Sequence, residues 1–404
     1  MNASRGAARL RTGWAIAGVA ALALAAPPLA TAATVTAAGG VVALGDPDGA
    51  ADVLSADLQF EDQTPSVDPP GWSVSLLGAP PPAPGAGCEP GFVGTLCALG
   101  ADPPSALRVD LGAGDDQLQL TVEPEAAAAP TAIAVAGGPG DDLIATVLAR
   151  AELDGGDGDD TLVPDDRVAL DFPPAPTPGG VIRGGAGTDT VSYEPALDPV
   201  AVSLDGRAND GRAGDADDVR GDVEDIRGGG FGDTLGGNAG ANRIAGLAGD
   251  DRIDGRGGRD TLEGGGGDDV VGALDGAPGD RADCSDGTDT ALLDAGDTPV
   301  ACERTTWAPG LGSTRLRLRD GRIPVRLACP RASAGRCRGT VRIVGARSVA
   351  SGTYRARPGA RVTVRLQPTR SGRKALRRRG ALAAQVVVQP ARTTGAAGRS
   401  VTVR

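Results

Sequence analysis

The chain has 404 residues, with 64 glycines, 31 prolines, nine aromatic residues and no histidine. So few large apolar side chains cannot build an extensive conventional core, and metal ions or disulfides should therefore help to hold the fold together. The absence of histidine excludes HExxH metalloproteases and every Ser-His or Cys-His nucleophile, so we expect a protein that is not an enzyme.

The net charge of −12 conceals two regions of opposite sign. Residues 33–303 carry 13 arginines against 51 acidic residues, whereas residues 304–404 carry 24 basic residues against one acid, Asp320. Two chemically different modules are therefore joined in this chain.

Residues 1–32 have the pattern of a secretory signal peptide. Three arginines precede an apolar run over residues 14–26, and Ala30-Thr31-Ala32 supplies a small-residue cleavage site. A membrane anchor is the alternative, but the run is well short of the roughly 20 residues that a spanning helix needs. We expect a secreted, extracellular protein.

Six cysteines in an exported chain suggest disulfides. Their spacings match no zinc pattern, and their clustering in the sequence favours local pairing. The expected pairs are Cys88 with Cys97, Cys284 with Cys302, and Cys329 with Cys337.

Residues 33–108 alternate short β-type runs with proline-rich breaks such as residues 79–87. This pattern predicts a small β domain closed by Cys88 and Cys97. No function can be inferred from this segment.

A nine-residue repeat appears from residue 109 onwards. Residues 228–272 divide into GGGFGDTLG, GNAGANRIA, GLAGDDRID, GRGGRDTLE and GGGGDDVVG, and further copies begin at residues 111, 137, 155 and 184. Position eight is aliphatic and should face the interior. The residues at position six, which we predict to be metal ligands, are Asp116, Asp142, Asp160, Asp189, Asp233, Asn242, Asp251, Asp260 and Asp269.

The spacing between copies predicts one continuous solenoid. Asp142 and Asp160 lie 18 residues apart, which is two periods, and Leu153 holds the apolar position of a degenerate unit between them. Inserts such as residues 172–180 interrupt the repeat.

These units resemble the repeats-in-toxin, or haemolysin-type, calcium-binding nonapeptide GGxGxDxUx, over roughly residues 109–290. The resemblance implies a parallel β-roll with two nonapeptides per turn and calcium between loops of successive turns. It places Asp233, Asp251 and Asp269 in one stack and Asn242 with Asp260 in the other. Asp116 stands in an isolated copy, so its loss should matter less than that of Asp251.

The residue types suit calcium, which takes about six to eight oxygen ligands from carboxylates and backbone carbonyls. Glycines with positive φ let a loop turn its carbonyls inward. A disordered Gly/Asp-rich linker is the alternative that composition allows, although a linker does not keep an aliphatic residue at every ninth position. Because a segment this acidic repels itself, we expect it to be disordered without calcium.

Residues 304–404 show strand-like alternation, for example over residues 314–329 and 361–368, with Asp320-Gly321 as a hairpin turn. This predicts a basic immunoglobulin-like β-sandwich in which Cys329 and Cys337 pin one loop. Its charge suits an anionic envelope polysaccharide or lipid surface, and the alternative is a solvated surface in an arginine-rich protein. Nucleic acid is not expected as a partner, because export removes the protein from it.

The sequence therefore predicts a mainly β protein in four segments: a signal peptide over 1–32, a small β domain over 33–108, a calcium-binding β-roll over 109–303 and a basic β-sandwich over 304–404. The predicted function is an extracellular calcium-binding scaffold or binding protein. A surface adhesin or envelope-structural protein is the nearest alternative. A secreted hydrolase with calcium-stabilised repeats is the alternative from another class, although the sequence contains no GxSxG motif.

Overall fold

The computed structural model describes residues 34–38, 41–45, 53–61, 71–78, 83–84, 88–91, 94–100, 106–122, 132–147, 151–164, 179–312, 315–331, 337–345, 348–390 and 397–404. For the strands between residues 34 and 100 it describes the backbone alone. The predicted signal peptide lies outside the described residues. Within these ranges the chain is mainly β with one helix, and that part of the chain has no helix long and apolar enough to cross a membrane.

Seven strands precede the repeats. Their bounds are β1 Thr34–Ala38, β2 Val41–Gly45, β3 Val53–Glu61, β4 Gly71–Gly78, β5 Ala83–Pro84, β6 Cys88–Gly91 and β7 Gly94–Gly100. The pairs β1–β2, β3–β4, β4–β7 and β6–β7 are antiparallel. The register of β6 and β7 places Cys88 opposite Cys97, while the disulfide between them stays a prediction.

The repeat region forms strands β8 to β28. Their bounds are β8 Ala106–Asp110, β9 Gln117–Val122, β10 Ile133–Pro139, β11 Leu143–Val147, β12 Ala151–Asp157, β13 Thr161–Val163, β14 Val181–Ala186, β15 Thr190–Ser192, β16 Val200–Ser203, β17 Gly211–Arg212, β18 Asp218–Val219, β19 Asp225–Arg227, β20 Thr234–Gly236, β21 Arg243–Ala248, β22 Arg252–Asp254, β23 Thr261–Gly266, β24 Val270–Ala273, β25 Arg281–Asp286, β26 Thr290–Leu293, β27 Thr298–Val300 and β28 Arg304–Trp307.

These strands wind into a parallel β-roll, as the sequence predicts. One sheet, which we call the long sheet, runs through the whole roll in the order β3-β9-β11-β13-β15-β19-β21-β23-β25-β27. The opposite side is formed first by β2-β8-β10-β12-β14-β18 and then by β16-β20-β22-β24-β26-β28. Each turn therefore contributes one strand to the long sheet and one to the opposite side.

The roll extends beyond the limits that the repeat pattern suggests at both ends. β2 and β3 pair in parallel with β8 and β9, so that Leu44 lies opposite Val109 and Leu54 opposite Leu118. At the other end, β28 pairs in parallel with β26. No sheet boundary therefore coincides with residue 108 or residue 303, and the division into domains stays a prediction.

The interior of the roll is filled by stacked columns of aliphatic side chains, to which each strand contributes one residue. Along the long sheet, register places Ile144 beside Leu162, Val191, Ile226, Ile244 and Leu262 in successive strands, and all are fully buried. Leu153 and Ile182 occupy the same depth on the opposite side. The predicted position-eight residues are buried throughout, and burying each one stabilises the fold by roughly 1.5–3 kcal/mol.

The strands after the roll form another sheet with its own buried core, which we call the C-terminal domain. Its bounds are β29 Gly310–Leu311, β30 Arg315–Leu316, β31 Ile323–Ala328, β32 Cys337–Val344, β33 Ser348–Ala356, β34 Arg361–Pro368, α1 Arg370–Arg379, β35 Leu382–Pro390 and β36 Ala397–Val403. The strand order is β29-β31-β34-β33-β32-β35-β36-β30. β33 and β34 share two residue pairs, so the two halves of the sheet meet along a short seam and close over one core. Its assignment as immunoglobulin-like stays a prediction.

Two local predictions in this domain are confirmed. Asp320 and Gly321 have φ values of 49° and 71°, and Arg319 and Arg322 exchange both backbone hydrogen bonds across them at 2.8 Å, which is the geometry of a two-residue hairpin turn. A disulfide joins Cys329 to Cys337.

The single described helix, α1, is not predicted from the sequence pattern. The Thr369 hydroxyl accepts a hydrogen bond from the Gly372 N–H, and Gly380 ends the helix in the left-handed conformation with a φ of 68°. Leu376 is buried in the domain core. Tertiary burial of this one face holds a helix whose first turn contains no acid to favour its dipole.

Candidate metal centre

The repeats place glycine where the loops between strands need it. In loop 137–142, Gly138 and Gly140 have φ values of 110° and 140°, which residues with a Cβ rarely adopt. A Cβ at these positions would also collide with the carbonyl oxygens of Gly112 and Gly114 in the preceding loop. Glycine therefore lets successive loops stack closely, with carbonyls pointing from one loop toward the next.

Three loops adopt the same backbone without glycine at position two. Leu247, Arg256 and Ser285 have φ values of 79°, 63° and 62°. A left-handed backbone costs such residues roughly 1–2 kcal/mol. These loops carry strain that their stacking interactions must offset.

The position-six residues form two rows that we call the long ladder and the short ladder. The long ladder precedes the strands of the long sheet and the short ladder precedes those of the opposite side in the second half of the roll. The long ladder contains Asp116, Asp142, Asp160, Asp189, Glu224, Asn242, Asp260, Asp280 and Asp297, and the short ladder contains Asp233, Asp251, Asp269, Asp289 and Glu303.

In most members of each ladder, one carboxylate oxygen accepts a hydrogen bond from a backbone N–H of the preceding loop. The Asp233 N–H donates to Oδ1 of Asp251 at 2.7 Å, and the Asp251 N–H donates to Oδ1 of Asp269 at 2.8 Å. In the long ladder the Asp142 N–H donates to Oδ1 of Asp160 at 2.8 Å. Oδ1 therefore fixes the carboxylate orientation and joins successive turns.

The second oxygen of these carboxylates is buried and has no hydrogen-bond donor among the described residues. This is true of Oδ2 in Asp142, Asp160, Asp189, Asp251, Asp269 and Asp289. A Cβ at Gly246 would collide with Oδ2 of Asp251 and with the carbonyl oxygen of Gly264 in the next loop, and Gly137 and Gly155 repeat this arrangement. Oδ2 and a carbonyl oxygen of the next loop therefore lie close to each other, and a cation that contacts both would supply the partner that Oδ2 lacks.

Burial also perturbs the acidity of the ladders. Desolvation and neighbouring carboxylates together, opposed by a backbone N–H donor, raise the pKa of Asp142, Asp189 and Asp269 to about 6 and that of Asp251 and Asp260 to about 7. Ionised ladders are therefore costly at neutral pH unless a positive charge compensates them.

The ligand set available to a metal is mostly backbone. No group of three acidic or cysteine side chains in the described ranges converges as a metal cluster. Each loop instead offers one carboxylate together with carbonyl oxygens, a set that suits calcium rather than zinc.

All nine predicted ligands lie in the two ladders and are at most 3% exposed. The predicted stacks are confirmed in their grouping, because Asp233, Asp251 and Asp269 follow one another and the Asn242 N–H donates to Oδ1 of Asp260. The expectation that Asp116 stands in an isolated copy is wrong: its N–H donates to Oδ1 of Asp142 at 2.8 Å. The two aspartates lie 26 residues apart rather than 18, and the parallel pairing of β9 with β11 makes them neighbours. Asp116 begins the described part of the long ladder.

Asn242 is a variation within the long ladder. Its Oδ1 accepts from the Asn238 N–H at 2.9 Å, and its Nδ2 donates to the Glu224 carbonyl oxygen at 2.9 Å. The amide thus contributes a neutral oxygen, and its nitrogen donates a hydrogen bond to the preceding turn. A cation beside it meets one negative charge fewer.

Sequence reasoning missed several ladder members. Asp280 and Asp289 are 1% and 0% exposed and occupy position six of DGAPGDRAD and CSDGTDTAL, which lie two residues out of register with the preceding units. Glu303 and Asp297 end the two ladders by accepting from the N–H groups of Asp289 and Asp280. The Gly-x-Asp spacing of Gly287 and Asp289 was the available signal for Asp289, whereas Pro278 takes the place of that glycine before Asp280.

A disulfide joins Cys284 to Cys302, as predicted. Cys284 stands at position one of its repeat, and its carbonyl oxygen faces Oδ2 of Asp269 across the Cβ position of Gly264. We call the gap between such a carboxylate and the carbonyl oxygen of the next loop a slot. The disulfide therefore anchors the backbone that lines the slot beside Asp269 in the short ladder.

Comparison with known proteins agrees with this geometry. The model of the RTX calcium-binding nonapeptide repeat matches four copies, over residues 152–166 and 236–271. No curated protein matches the chain. The chain contains RTX calcium-binding nonapeptide repeats, and calcium is the ion that such repeats bind.

Proposed function

We propose that this RTX repeat protein is an extracellular scaffold whose β-roll is organised by calcium, with the two ladders as its ligands. The rows of buried Oδ2 atoms without a donor carry this proposal, and four of these atoms lie beside a carbonyl oxygen of the next loop. Among the predicted ligands, Asp142, Asp160, Asp189, Asp251 and Asp269 supply these oxygens, as does Asp289, which was not predicted. The other predicted ligands, Asp116, Asp233, Asn242 and Asp260, lie in the same ladders.

Calcium supplies the positive charge that these residues otherwise lack. The protein's own part is to hold each carboxylate by its Oδ1 and to aim carbonyls across the gap between loops. Because the slots exist only when the turns are stacked, the ion binds the folded roll and not the unfolded chain. An ion present at about 100 times its dissociation constant then stabilises the fold by about 2.7 kcal/mol.

A calcium titration followed by circular dichroism and limited proteolysis tests this proposal. β signal and protease resistance of the repeat region should rise together with calcium. Magnesium should be much less effective, because it demands a small octahedral shell and gives up water reluctantly. A repeat region equally structured in a chelator would contradict the proposal.

The extracellular location rests on the predicted signal peptide and on two disulfides in the described residues, which persist in oxidising compartments. A non-catalytic role is supported by the lack of histidine. Assay of the secreted protein on peptide, ester and glycoside substrates tests that role, and turnover of any of them would favour the hydrolase alternative.

A second part of the proposal concerns attachment. The C-terminal domain carries 24 basic residues against Asp320 in residues 304–404, and alternate residues of its strands point arginines outward. We therefore propose that this domain holds the calcium-organised roll on an anionic partner, as an adhesin or envelope-structural protein does.

A further inference from the structure

The outer face of β32 and β33 carries a regular array of arginine and hydroxyl side chains. Arg338 lies directly opposite Arg355, Thr340 opposite Thr353, and Arg342 opposite Ser351. All six side chains are exposed. The six residues, which we call the arginine face, are Arg338, Thr340, Arg342, Ser351, Thr353 and Arg355.

This array is unfavourable for the isolated domain. Like charges directly opposite each other on a sheet destabilise it by up to about 1 kcal/mol. No guanidinium group of the three arginines makes an ion pair or a hydrogen bond with another described residue, whereas in the roll the guanidinium group of Arg227 pairs with Glu194. Charge that the fold itself leaves uncompensated favours an external anion.

We propose that the arginine face binds an anionic polysaccharide; this inference rests on the attachment role proposed above and names its partner. Guanidinium groups bind carboxylate or sulfate groups through paired hydrogen bonds. The threonine and serine hydroxyls between them can both donate to and accept from sugar hydroxyls. The face thus offers charged and neutral polar groups in alternation, as such a polymer does.

The spacing suits a polymer rather than a single small anion. Opposite residues on paired strands lie about 5 Å apart, and residues two apart along a strand lie about 7 Å apart. Arg338 and Arg342 are therefore about 13 Å apart on one strand, with Arg355 beside the first. A chain with an anionic group on successive sugars engages all three at once.

A lipid bilayer fits this face less well. Proteins that lie on membranes insert aromatic or long aliphatic side chains below the headgroups, and the arginine face has none. The acidic roll of a second copy of this chain is the other anionic occupant, and the experiment below separates both from a polysaccharide.

The test compares two triple variants of the full calcium-loaded protein that remove equal charge. Arg338→Gln/Arg342→Gln/Arg355→Gln changes the arginine face. Arg326→Gln/Arg361→Gln/Arg365→Gln changes three exposed arginines on β31 and β34 in the other half of the domain. Binding to immobilised dextran sulfate and polygalacturonate is measured at constant free calcium, with neutral dextran and phosphatidylglycerol vesicles in parallel.

We expect the wild type to bind at least one of the two acidic polymers, with an affinity that falls steeply between about 0.05 and 0.5 M salt. The arginine-face variant should bind at least about tenfold more weakly, and the matched variant less than about threefold more weakly. Neutral dextran should not bind.

Equal losses in the two variants would overturn the inference, because net charge alone would then explain binding. Tighter binding to the vesicles than to either acidic polymer, or self-association that the arginine-face variant abolishes, would also overturn it. Each variant is checked for its calcium-induced circular dichroism change. Loss of polysaccharide binding with that change intact concerns the arginine face alone, whereas its absence from the wild type would refute the proposed calcium role.

Discussion

Asp251→Asn separates the role of the Asp251 charge from its role as a hydrogen-bond acceptor. The substitution preserves the size of the side chain. It also keeps an oxygen that can accept a hydrogen bond from the Asp233 N–H, whose nitrogen lies 2.7 Å from Oδ1 of Asp251 in the wild type. It removes the charge from an oxygen that is buried without a donor. Asp250→Asn is the matched control, because Asp250 is the exposed neighbour that accepts from the Asp268 N–H at 2.8 Å.

The two forms of the protein should respond to Asp251→Asn in opposite directions. Burial raises the pKa of Asp251 to about 7, so the variant removes a charge that is costly without calcium and should make the calcium-free roll slightly more stable at neutral pH. With calcium, it weakens a slot that the Asp251 and Gly264 oxygens line. Loss of one ion costs about 2.7 kcal/mol at 100 times its dissociation constant, and about twice that if the slots on both sides of the loop empty.

Urea unfolding in excess calcium measures the effect on the calcium-loaded roll. Because the calcium-free roll is expected to be largely unfolded, its stability is measured in chelator with trimethylamine N-oxide added, which favours the folded state. We expect Asp251→Asn to lower stability by roughly 3–5 kcal/mol in calcium and to leave it unchanged or higher in chelator, while Asp250→Asn changes neither by more than about 0.5 kcal/mol. Asn242→Asp should raise stability in calcium, because it adds a charge to the long ladder. Equal losses from Asp251→Asn with and without calcium would refute a metal-ligand role for Asp251.

Three further outcomes follow from the ladders and loops. Burial raises the pKa of Asp142, Asp189 and Asp269 to about 6, so the calcium-free roll binds more protons when folded than when unfolded. Its stability should therefore fall as pH rises from about 4 to 7, and the calcium midpoint should fall over the upper part of that range. Circular dichroism at pH 5.5 and 7.5 would contradict this if the chelator-treated protein were more structured at the higher pH. Leu247→Gly should lower the calcium midpoint, because glycine relieves the strain of a left-handed backbone with φ 79°, and this relief stabilises the folded roll by roughly 1 kcal/mol. Ala248→Gly is the control and should not lower the midpoint. Identical shifts in the two variants would argue against strain at Leu247. Cys284→Ser/Cys302→Ser should lower calcium-dependent stability by about 3 kcal/mol, since the disulfide closes 18 residues beside the slot at Asp269. Cys329→Ser/Cys337→Ser should leave the calcium midpoint unchanged. Mass spectrometry of a non-reduced digest of the wild type should find peptides that join these two pairs and also Cys88 to Cys97.

The repeat period predicted the grouping of the central ligands because it sets strand register directly. A spacing of 18 residues brings Asp233 and Asp251 to equivalent positions in successive turns, and the aliphatic residue two positions later must then face the interior. Asp320-Gly321 was equally predictable, since this dipeptide favours the two positive φ values that the turn adopts.

The period failed where the chain departs from it. Asp280 lies eleven residues after Asp269, and the two extra residues, Ala273 and Leu274, precede its unit without disturbing the pairing of β25 with β23. Asp116 joins the long ladder across an insert for the same reason, because parallel pairing of β9 with β11 fixes its position. Pairing of this kind depends on the whole fold and cannot be inferred from local spacing.

The extension of the roll to β2 and β3 was beyond local reasoning as well. Neither strand has the GGxGxD loop signature of the repeats, and the short β-type runs with proline-rich breaks suggested an independent domain. Their parallel register with β8 and β9 is a long-range property that covers the first edge of the roll, which would otherwise present unpaired backbone groups.

Hydrogen exchange of the full protein in chelator and in calcium measures calcium-dependent folding segment by segment. The ladder account predicts that amides of residues 132–147, 179–203 and 225–293 exchange rapidly in chelator and gain strong protection in calcium, while those of residues 315–328 and 337–344 are protected in both. The same protection of the repeat region with and without calcium would contradict the claim that calcium organises this roll.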